Sequence, residues 1–290
     1  MFKPFCVLKA CALMAVLTNT PVAIADADNI AAIEKVAVGP HRSAENIQRN
    51  GARHPAQTLD FFGIEPSMNV TEIWPVKGWY TEILAPYLRD GGQLTIANYR
   101  TMHDSDDRKA NYYAKLGRKL AKRVNDDPIV FGTVIEVPYD PETDNSMGMP
   151  QSQDMVLAFR NIHNWDTDGV FENVMQAAHD VLKIGGVLGI VEHKADQLSD
   201  LSASAVRGYT DESYVIEVVE SVGFKLVARS GINANPKDTK NYPKGVFALP
   251  PTLAMGATDR QKYLDIGESC LLYTSPSPRD MRRSRMPSSA

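Results

Sequence analysis

Cysteine is scarce in this sequence. There are three in 290 residues, at positions 6, 11 and 270, and none between 26 and 269. That central stretch therefore carries no disulfide, no thiolate metal site and no cysteine nucleophile. Positive charge is not in excess either. The net charge is −4, and residues 26–269 are more acidic still, because both ends of the chain are basic. Sequence-independent grip on nucleic acid needs a basic surface, so that class is excluded. There is no internal repeat and no apolar run that spans a bilayer comfortably. The remainder, 43% hydrophobic and 23% charged, has the balance of a folded globular chain rather than a disordered, collagenous or multi-span membrane one.

The ends separate from the middle. Lys3 and Lys9 flank the start of an apolar stretch, and Ala23-Ile24-Ala25 is the small-x-small pattern of a signal-peptide cleavage site. Cleavage is expected after Ala25, with a mature start at Asp26, a periplasmic or secreted location and no stable membrane insertion afterwards. At the far end, residues 270–280 read CLLYTSPSPRD and residues 284–290 read SRMPSSA. Both are similar, in one reading frame, to a conceptual translation of a transposase-type sequencing adapter. The natural gene is thus expected to have been cut off near Ser269. The expected division is a signal peptide at 1–25, a helical segment or lid at 26–66, an α/β domain at 67–269 and a foreign tail at 270–290.

Within the middle, strands and helices alternate. Residues 69–74, 93–98, 129–134, 154–159, 186–192 and 224–228 carry the short apolar or β-branched runs of strands. Residues 80–88, 108–124, 170–182 and 211–222 have helical periodicity; Gly91, Gly185 and Gly223 stop the first, third and fourth, and Thr167 or Asp168 is expected to cap the third. Two shorter helical stretches, 28–38 and 43–63, precede them, the second broken at Pro55. Such alternation predicts a doubly wound parallel sheet with helices on both faces. Right-handed crossovers put all the strand carboxyl ends on one edge, and ligands bind there, where the strand order reverses. Residues 140–153, with Pro141, Gly148 and Pro150, form the one long mid-domain loop and are a candidate lid.

Motifs cluster just after these strands. The first is followed by Glu72, Trp74, Pro75, Gly78, Trp79, Tyr80 and Ala85-Pro86-Tyr87-Leu88. Others are Arg53-His54-Pro55, Thr58-Leu59-Asp60-Phe61-Phe62-Gly63, Phe159-Arg160-Asn161-Ile162-His163-Asn164-Trp165, Gly189-Ile190-Val191-Glu192-His193 and Asn235-Pro236-Lys237-Asp238-Thr239. Taken together, over roughly residues 40–269, they resemble the exported predicted methyltransferases of bacteria, a branch of the class I S-adenosylmethionine-dependent fold. Val76 and Lys77 depart from that pattern, standing where the family has two glycines. The resemblance implies a Rossmann-like α/β domain, S-adenosylmethionine as cofactor and transfer of its methyl group to a small-molecule acceptor. It also implies a seventh strand after Ser269, which the tail would replace, so the final strand is expected to be missing.

The residue chemistry fits that expectation in places. Gly78 lets backbone approach a ligand, and the helix after it offers free N–H groups to a carboxylate. Glu72 can hold a cationic amino group, and Trp74, Trp79 and Tyr80 can face a sulfonium at roughly 0.5–2 kcal/mol per contact, or can simply pack helix on sheet. The cofactor set is completed by Pro75, by Asn98, which stands where the fold usually has an acid for the ribose, and by Arg160 and Asn161. Glu136 or Asp140 can serve the adenine side. His163 titrates near neutrality and suits an acceptor-side base, with Glu192 and His193 as further candidates on the same edge. Histidine and carboxylate also ligate metals, but nothing in the spacing requires one, and no metal is expected. Trp165, Tyr209, Asn235 and Asp238 are expected to line the acceptor. The alternative is an exported small-ligand-binding protein, or an enzyme without this donor, on the same fold. A nicotinamide dehydrogenase is disfavoured, since the first loop has one glycine rather than G-x-G-x-x-G and no acid ends the second strand.

Overall fold

The structure is a computed structural model that describes residues 26–102, 106–195, 201–269 and 271–276. The expected export segment and residues 277–290 lie outside the described residues. Four short helices come first: α1 (Ala27–Ala37), α2 (Ala44–Gln48), α3 (Asn50–Arg53) and α4 (Pro55–Phe61). Asp26 caps α1 by accepting from the backbone N–H groups of Asp28 and Asn29. There follow β1 (Asn69–Ile73), α5 (Thr81–Leu88), β2 (Gln93–Tyr99), α6 (Arg108–Asp126), α7 (Pro128–Phe131), β3 (Ile135–Tyr139) and β4 (Gln153–Phe159). Then come α8 (Ile162–Thr167), α9 (Phe171–Val181), β5 (Leu182–Glu192), α10 (Leu201–Val206), α11 (Glu212–Ser221), β6 (Ala228–Ser230), α12 (Arg260–Ile266) and β7 (Leu271–Pro276). Among the described residues no helix is long and apolar enough to cross a membrane.

The strands form one sheet in the order β3-β2-β1-β4-β5-β7-β6. The first five are parallel, and β7 runs antiparallel to both of its neighbours. Order reverses between β1 and β4, so the crevice opens at the carboxyl ends of those two strands. This is the doubly wound α/β architecture expected from the alternation. Side chains sort by the two-residue period of a strand. Val70, Leu94, Ile96, Met155 and Leu157 join Ile33, Leu59, Ile83 and Leu120 in one core. Ile73, Ala97, Val156, Ala158, Leu188 and Ile190 join Trp165, Val174, Val215 and Val219 in the other. A third, smaller cluster of Tyr209, Tyr242, Val246, Leu249 and Tyr263 lies beyond the carboxyl end of β5.

Four expectations are corrected. The β-branched run at 129–134 is not the third strand. Pro128 at the first helical turn and Asp127, which accepts from the Val130 N–H, turn residues 128–131 into α7, and the strand begins only at Ile135. Helix α9 is capped at Val170, without a side-chain hydrogen bond, because Asp168 already closes α8. The final strand is not missing. Residues 271–276 fill the slot between β5 and β6, with Leu271 opposite Glu192, Pro276 opposite Val187 and Thr274 opposite Ala228. Two open strand edges present unpaired N–H and C=O groups, and a Leu-Leu-Tyr-Thr run of high β propensity satisfies both, whatever its origin. The sixth strand is correspondingly displaced from 224–228 to the short stretch that β7 reaches.

Candidate active site

A cavity of about 260 Å³ lies at the carboxyl ends of β1, β2 and β3. Trp74, Tyr99, Tyr113 and Tyr139 give it aromatic walls; Asp107, Asp140, Glu142 and Asp168 bring carboxylates, and Arg100 and Lys109 bring cations. Trp74 stands beside Tyr99 with ring centroids 4.5 Å apart, and Tyr99 stacks on Tyr113 at 4.9 Å. The Trp74 indole N–H donates to the Tyr139 carbonyl at 3.4 Å, tying the end of β1 to the end of β3. Helix α6 reaches this wall because Gly117 has no side chain; a Cβ there would sit 2.4 Å from the Tyr99 carbonyl oxygen. Lys109 pairs with Asp168 at 2.8 Å and Arg100 with Asp144 at 3.4 Å, so two cations already answer the acids on the rim. The start of the expected lid, Asp140 to Glu142, is one wall. Of the residues expected around a cofactor, the cavity includes Trp74 and Asp140. Sequence reasoning missed Tyr99, Tyr113, Tyr139 and Asp107. The available signal was Tyr113 amid the small residues Ala110, Ala114 and Gly117, a helix face made for close approach with one aromatic left standing.

The loop after β1 is strained. Trp74 has φ 44° and Val76 φ 58°, in the left-handed region that suits glycine, and Gly78 follows at 73°. Lys77 is exposed, so it does not intrude on the cavity, and its carbonyl accepts from Arg123 at 2.7 Å. Pro75 accepts the Gly78 N–H and closes the turn. Glu72 sits one residue before the strand end and points to the helix layer, where its carboxylate accepts from the Thr81 hydroxyl at 2.7 Å. Burial pushes its carboxyl up to about 8, against the opposing pull of the Thr81 hydrogen bond. Trp79 faces cations, but they are the protein's own: the Arg42 and Arg53 guanidiniums lie 4.6 Å from its ring centroid. Tyr80 stacks on Phe159 at 3.6 Å. Asn98 is fully buried against α6, donating to the Gly117 carbonyl at 3.2 Å and to Glu136 at 2.8 Å. Glu72, Trp79, Tyr80 and Asn98 therefore all lie outside the cavity wall.

The second assembly sits at the ends of β4 and β5. Asn161 donates to the carbonyls of Ile73 and Trp74 at 3.2 and 3.1 Å, clamping the start of α8 to the end of β1. The Glu192 carboxylate accepts from the backbone N–H of Ile162 at 2.7 Å, of His163 at 3.4 Å and of His193 at 2.7 Å. Its other contact is His163 Nδ1, at 3.1 Å. Burial pushes the Glu192 carboxyl up, but His163, then His193 and its backbone N–H, outweigh that and hold it below the usual range. An ionised carboxylate only accepts, so Nδ1 carries the proton and Nε2 is left as the basic nitrogen. Glu192 thus orients a base and is not itself one. His193 is held neutral: burial, with Arg160 adding to it, lowers it to about 3.

The remaining expected residues divide. Tyr209 donates to Asp238 at 3.1 Å, and its ring centroid lies 6.3 Å from that of His193, so these residues do meet. Asn235 instead holds backbone, donating to the Ile266 and Glu268 carbonyls at 2.6 and 3.0 Å. Trp165 is fully buried in the core, 6.0 Å from Trp74 between ring centroids, and is not part of the wall of the cavity at β1–β3. Arg160, at φ 60°, sends its guanidinium to Glu268 at 2.7 Å. Among the described residues no three His, Cys, Asp or Glu side chains converge as a metal site.

No protein-family model and no curated protein matches the chain. Solved structures do resemble it. A SAM dependent methyltransferase from Aquifex aeolicus aligns over 86% of this chain and 98% of its own, with TM-score 0.50 and 14% identity. The [4+2]-cyclase SpnF aligns over 84% and 86%, with TM-score 0.52 and 14% identity. A geranyl diphosphate methyltransferase in complex with SAM aligns over 84% and 94%, with TM-score 0.51 and 10% identity. At such identities the likeness is one of fold. The chain has the Rossmann-like fold of class I methyltransferases.

Proposed function

We propose that this protein transfers a methyl group from S-adenosylmethionine to a small-molecule acceptor. The observation that carries the reading is the pairing of an aromatic, acid-rimmed cavity at the ends of β1–β3 with a carboxylate-oriented histidine at the ends of β4 and β5. The cavity, at about 260 Å³, falls slightly below the ~300–1,000 Å³ range of ligand sites. Its flat walls from Trp74, Tyr99 and Tyr113 suit a purine, and Asp107 and Asp140 suit sugar hydroxyls, so the residues present fit the nucleoside part of that cofactor. When bound, the cofactor supplies an electrophilic methyl group. The chain itself does the rest. Asn161 fixes the distance between the two halves of the crevice, and alignment of that kind is worth effective molarities of about 10⁵–10⁸ M. His163 Nε2 accepts the acceptor's proton, and Glu192 stabilises the imidazolium that results.

Calorimetric titration with S-adenosylmethionine and its demethylated product tests the reading. Saturable binding is expected, weakened at least tenfold by Tyr113→Leu and left unchanged by His163→Ala. No binding of either compound at millimolar concentration refutes it. A second reading has one specific observation in its favour: a neighbour of equal structural similarity is a [4+2]-cyclase, so this fold alone does not fix the reaction. We also propose that residues 1–25 direct export. N-terminal sequencing of the periplasmic protein should then begin at Asp26; Met1 retained in a soluble cytoplasmic fraction would refute that.

A further inference from the structure

One charged cluster on the carboxyl edge has no part in the chemistry above. The Glu268 carboxylate accepts from Arg49 Nε at 2.6 Å and Nη2 at 3.4 Å, from Arg53 Nε at 2.8 Å and from Arg160 Nη1 at 2.7 Å. Three guanidiniums, two from the ends of α3 and one from the turn after β4, thus converge on one carboxylate, which is 4% exposed. Trp79 floors the cluster, its ring centroid 4.6 Å from the Arg53 guanidinium and 5.9 Å from that of Arg49. Burial lowers Arg53 to about 10, with repulsion from Arg160 next in size and attraction from Glu268 opposing both.

The position of the cluster is as telling as its charge. Leu271 pairs with Glu192, so the segment carrying Glu268 crosses the carboxyl end of β5 just before β7 begins. Both Arg160 and the Ser269 backbone act on His193. Arg160 lies three residues before His163 and is held at φ 60°, a conformation that costs a non-glycine residue energy and recurs where a side chain must be aimed. Guanidinium forks are the side chains that best match carboxylate and phosphate oxygens. A carboxylate delivered by the protein's own chain into such a nest, on the side of His193, has the form of an internal stand-in for a ligand.

We propose that Arg49, Arg53 and Arg160 form the anion subsite of the acceptor pocket, that the acceptor carries a carboxylate or phosphate, and that Glu268 occupies this subsite until the acceptor displaces it. The substrate class rests on the reading of His163 as the acceptor-side base; the anion site does not. The test uses the full chain at fixed ionic strength, titrated with inorganic phosphate in one arm and succinate in the other, with tryptophan fluorescence as readout and Trp79→Phe as the control for signal origin. Glu268→Gln is expected to tighten binding of one or both anions at least tenfold over the parent, and adding Arg53→Gln should abolish that gain. The stronger arm names the group. Should Glu268→Gln fail to fold, Glu268→Asp keeps the charge but withdraws it by one methylene, and a gain in anion affinity is again expected. Equal affinity in parent and variant overturns the proposal. S-adenosylmethionine titrated into the same samples separates the two readings: an anion gain without donor binding sinks the methyl-transfer reading alone, and donor binding without an anion gain sinks the anion subsite alone.

Discussion

Replacing Glu72 by glutamine should make the protein more stable above neutral pH, by an amount set by burial. Glu72 is 2% exposed, and the hydroxyl of Thr81 is its hydrogen-bonding neighbour at 2.7 Å. Its carboxyl rises from the ordinary 4.5 to about 8 in the fold. The folded protein therefore keeps a proton that the unfolded chain releases. The stability this lends is complete below pH 4.5 and is lost as pH rises through about 8. The slope is about 1.4 kcal/mol per pH unit, and the full span is ~5 kcal/mol as an upper limit, because a buried charge relaxes its surroundings. That is a large share of a typical domain's ~5–15 kcal/mol. Glutamine keeps the shape and the bond to Thr81 but has no proton to lose. Urea unfolding of both proteins at pH 5, 6, 7 and 8 is the assay. The two free energies should lie within about 1 kcal/mol at pH 5 and differ by roughly 3–4 kcal/mol at pH 8, in favour of Glu72→Gln. A difference that stays constant across that range would refute the reasoning.

Val76→Gly should raise the urea midpoint by the equivalent of ~1 kcal/mol, because a β-branched residue at φ 58° gives up left-handed strain that exceeds glycine's added chain entropy; an unchanged or lower midpoint counts against it. Glu192→Gln should cost ~3 kcal/mol of stability and most turnover, since an amide cannot accept from three backbone N–H groups and the His163 ring as a carboxylate does, whereas His163→Ala should abolish turnover at a smaller cost in stability. Ending the chain at Ser269 should lower the midpoint and expose residues 228–230 to hydrogen exchange, because β7 is what joins β6 to the sheet; unchanged protection there would show that the strand contributes nothing.

Periodicity carried most of the fold into view, and its failures are local. Strands β1, β2, β4 and β5 are buried on both faces, so their apolar runs stand out. The run at 129–134 misled because a proline and an aspartate immediately before it favour a helical turn more strongly than β-branching favours a strand. The site was legible only by edge. His163, Glu192 and His193 do meet, because each follows a strand of one parallel sheet. Their division of labour was hidden, since only the backbone N–H groups converging on Glu192 reveal it as an orienting acceptor. Trp79 and Glu72 misled for a related reason. A tryptophan suits a sulfonium and a guanidinium equally, and an acid at a strand end looks the same whether it faces the crevice or the helix layer. The partners that decide, Arg42 and Arg53 for one and Thr81 for the other, lie at sequence distances that no spacing rule covers.

The two halves of the crevice differ in what holds them. The cavity at β1–β3 is built locally, from strand ends and one face of α6, and its aromatic residues are in mutual contact before any ligand arrives. The β4–β5 side is assembled from afar: Arg49 and Arg53 come from the helices before the sheet, and Glu268 from the segment before its last strand. Ordering that side therefore draws on both ends of the folded region, whereas the cavity draws on neither. Asn161 is the exception, hydrogen-bonded across the point where the strand order reverses. A direct displacement demands a fixed line between donor and acceptor, and the link between the two central strands is placed to set it. Three of the strained residues lie at the same place: Trp74 and Val76 just after β1 and Arg160 just after β4 all hold left-handed backbone. Strain of that kind persists only where surrounding contacts over-determine it, and here those contacts are the ones that keep the two halves in register.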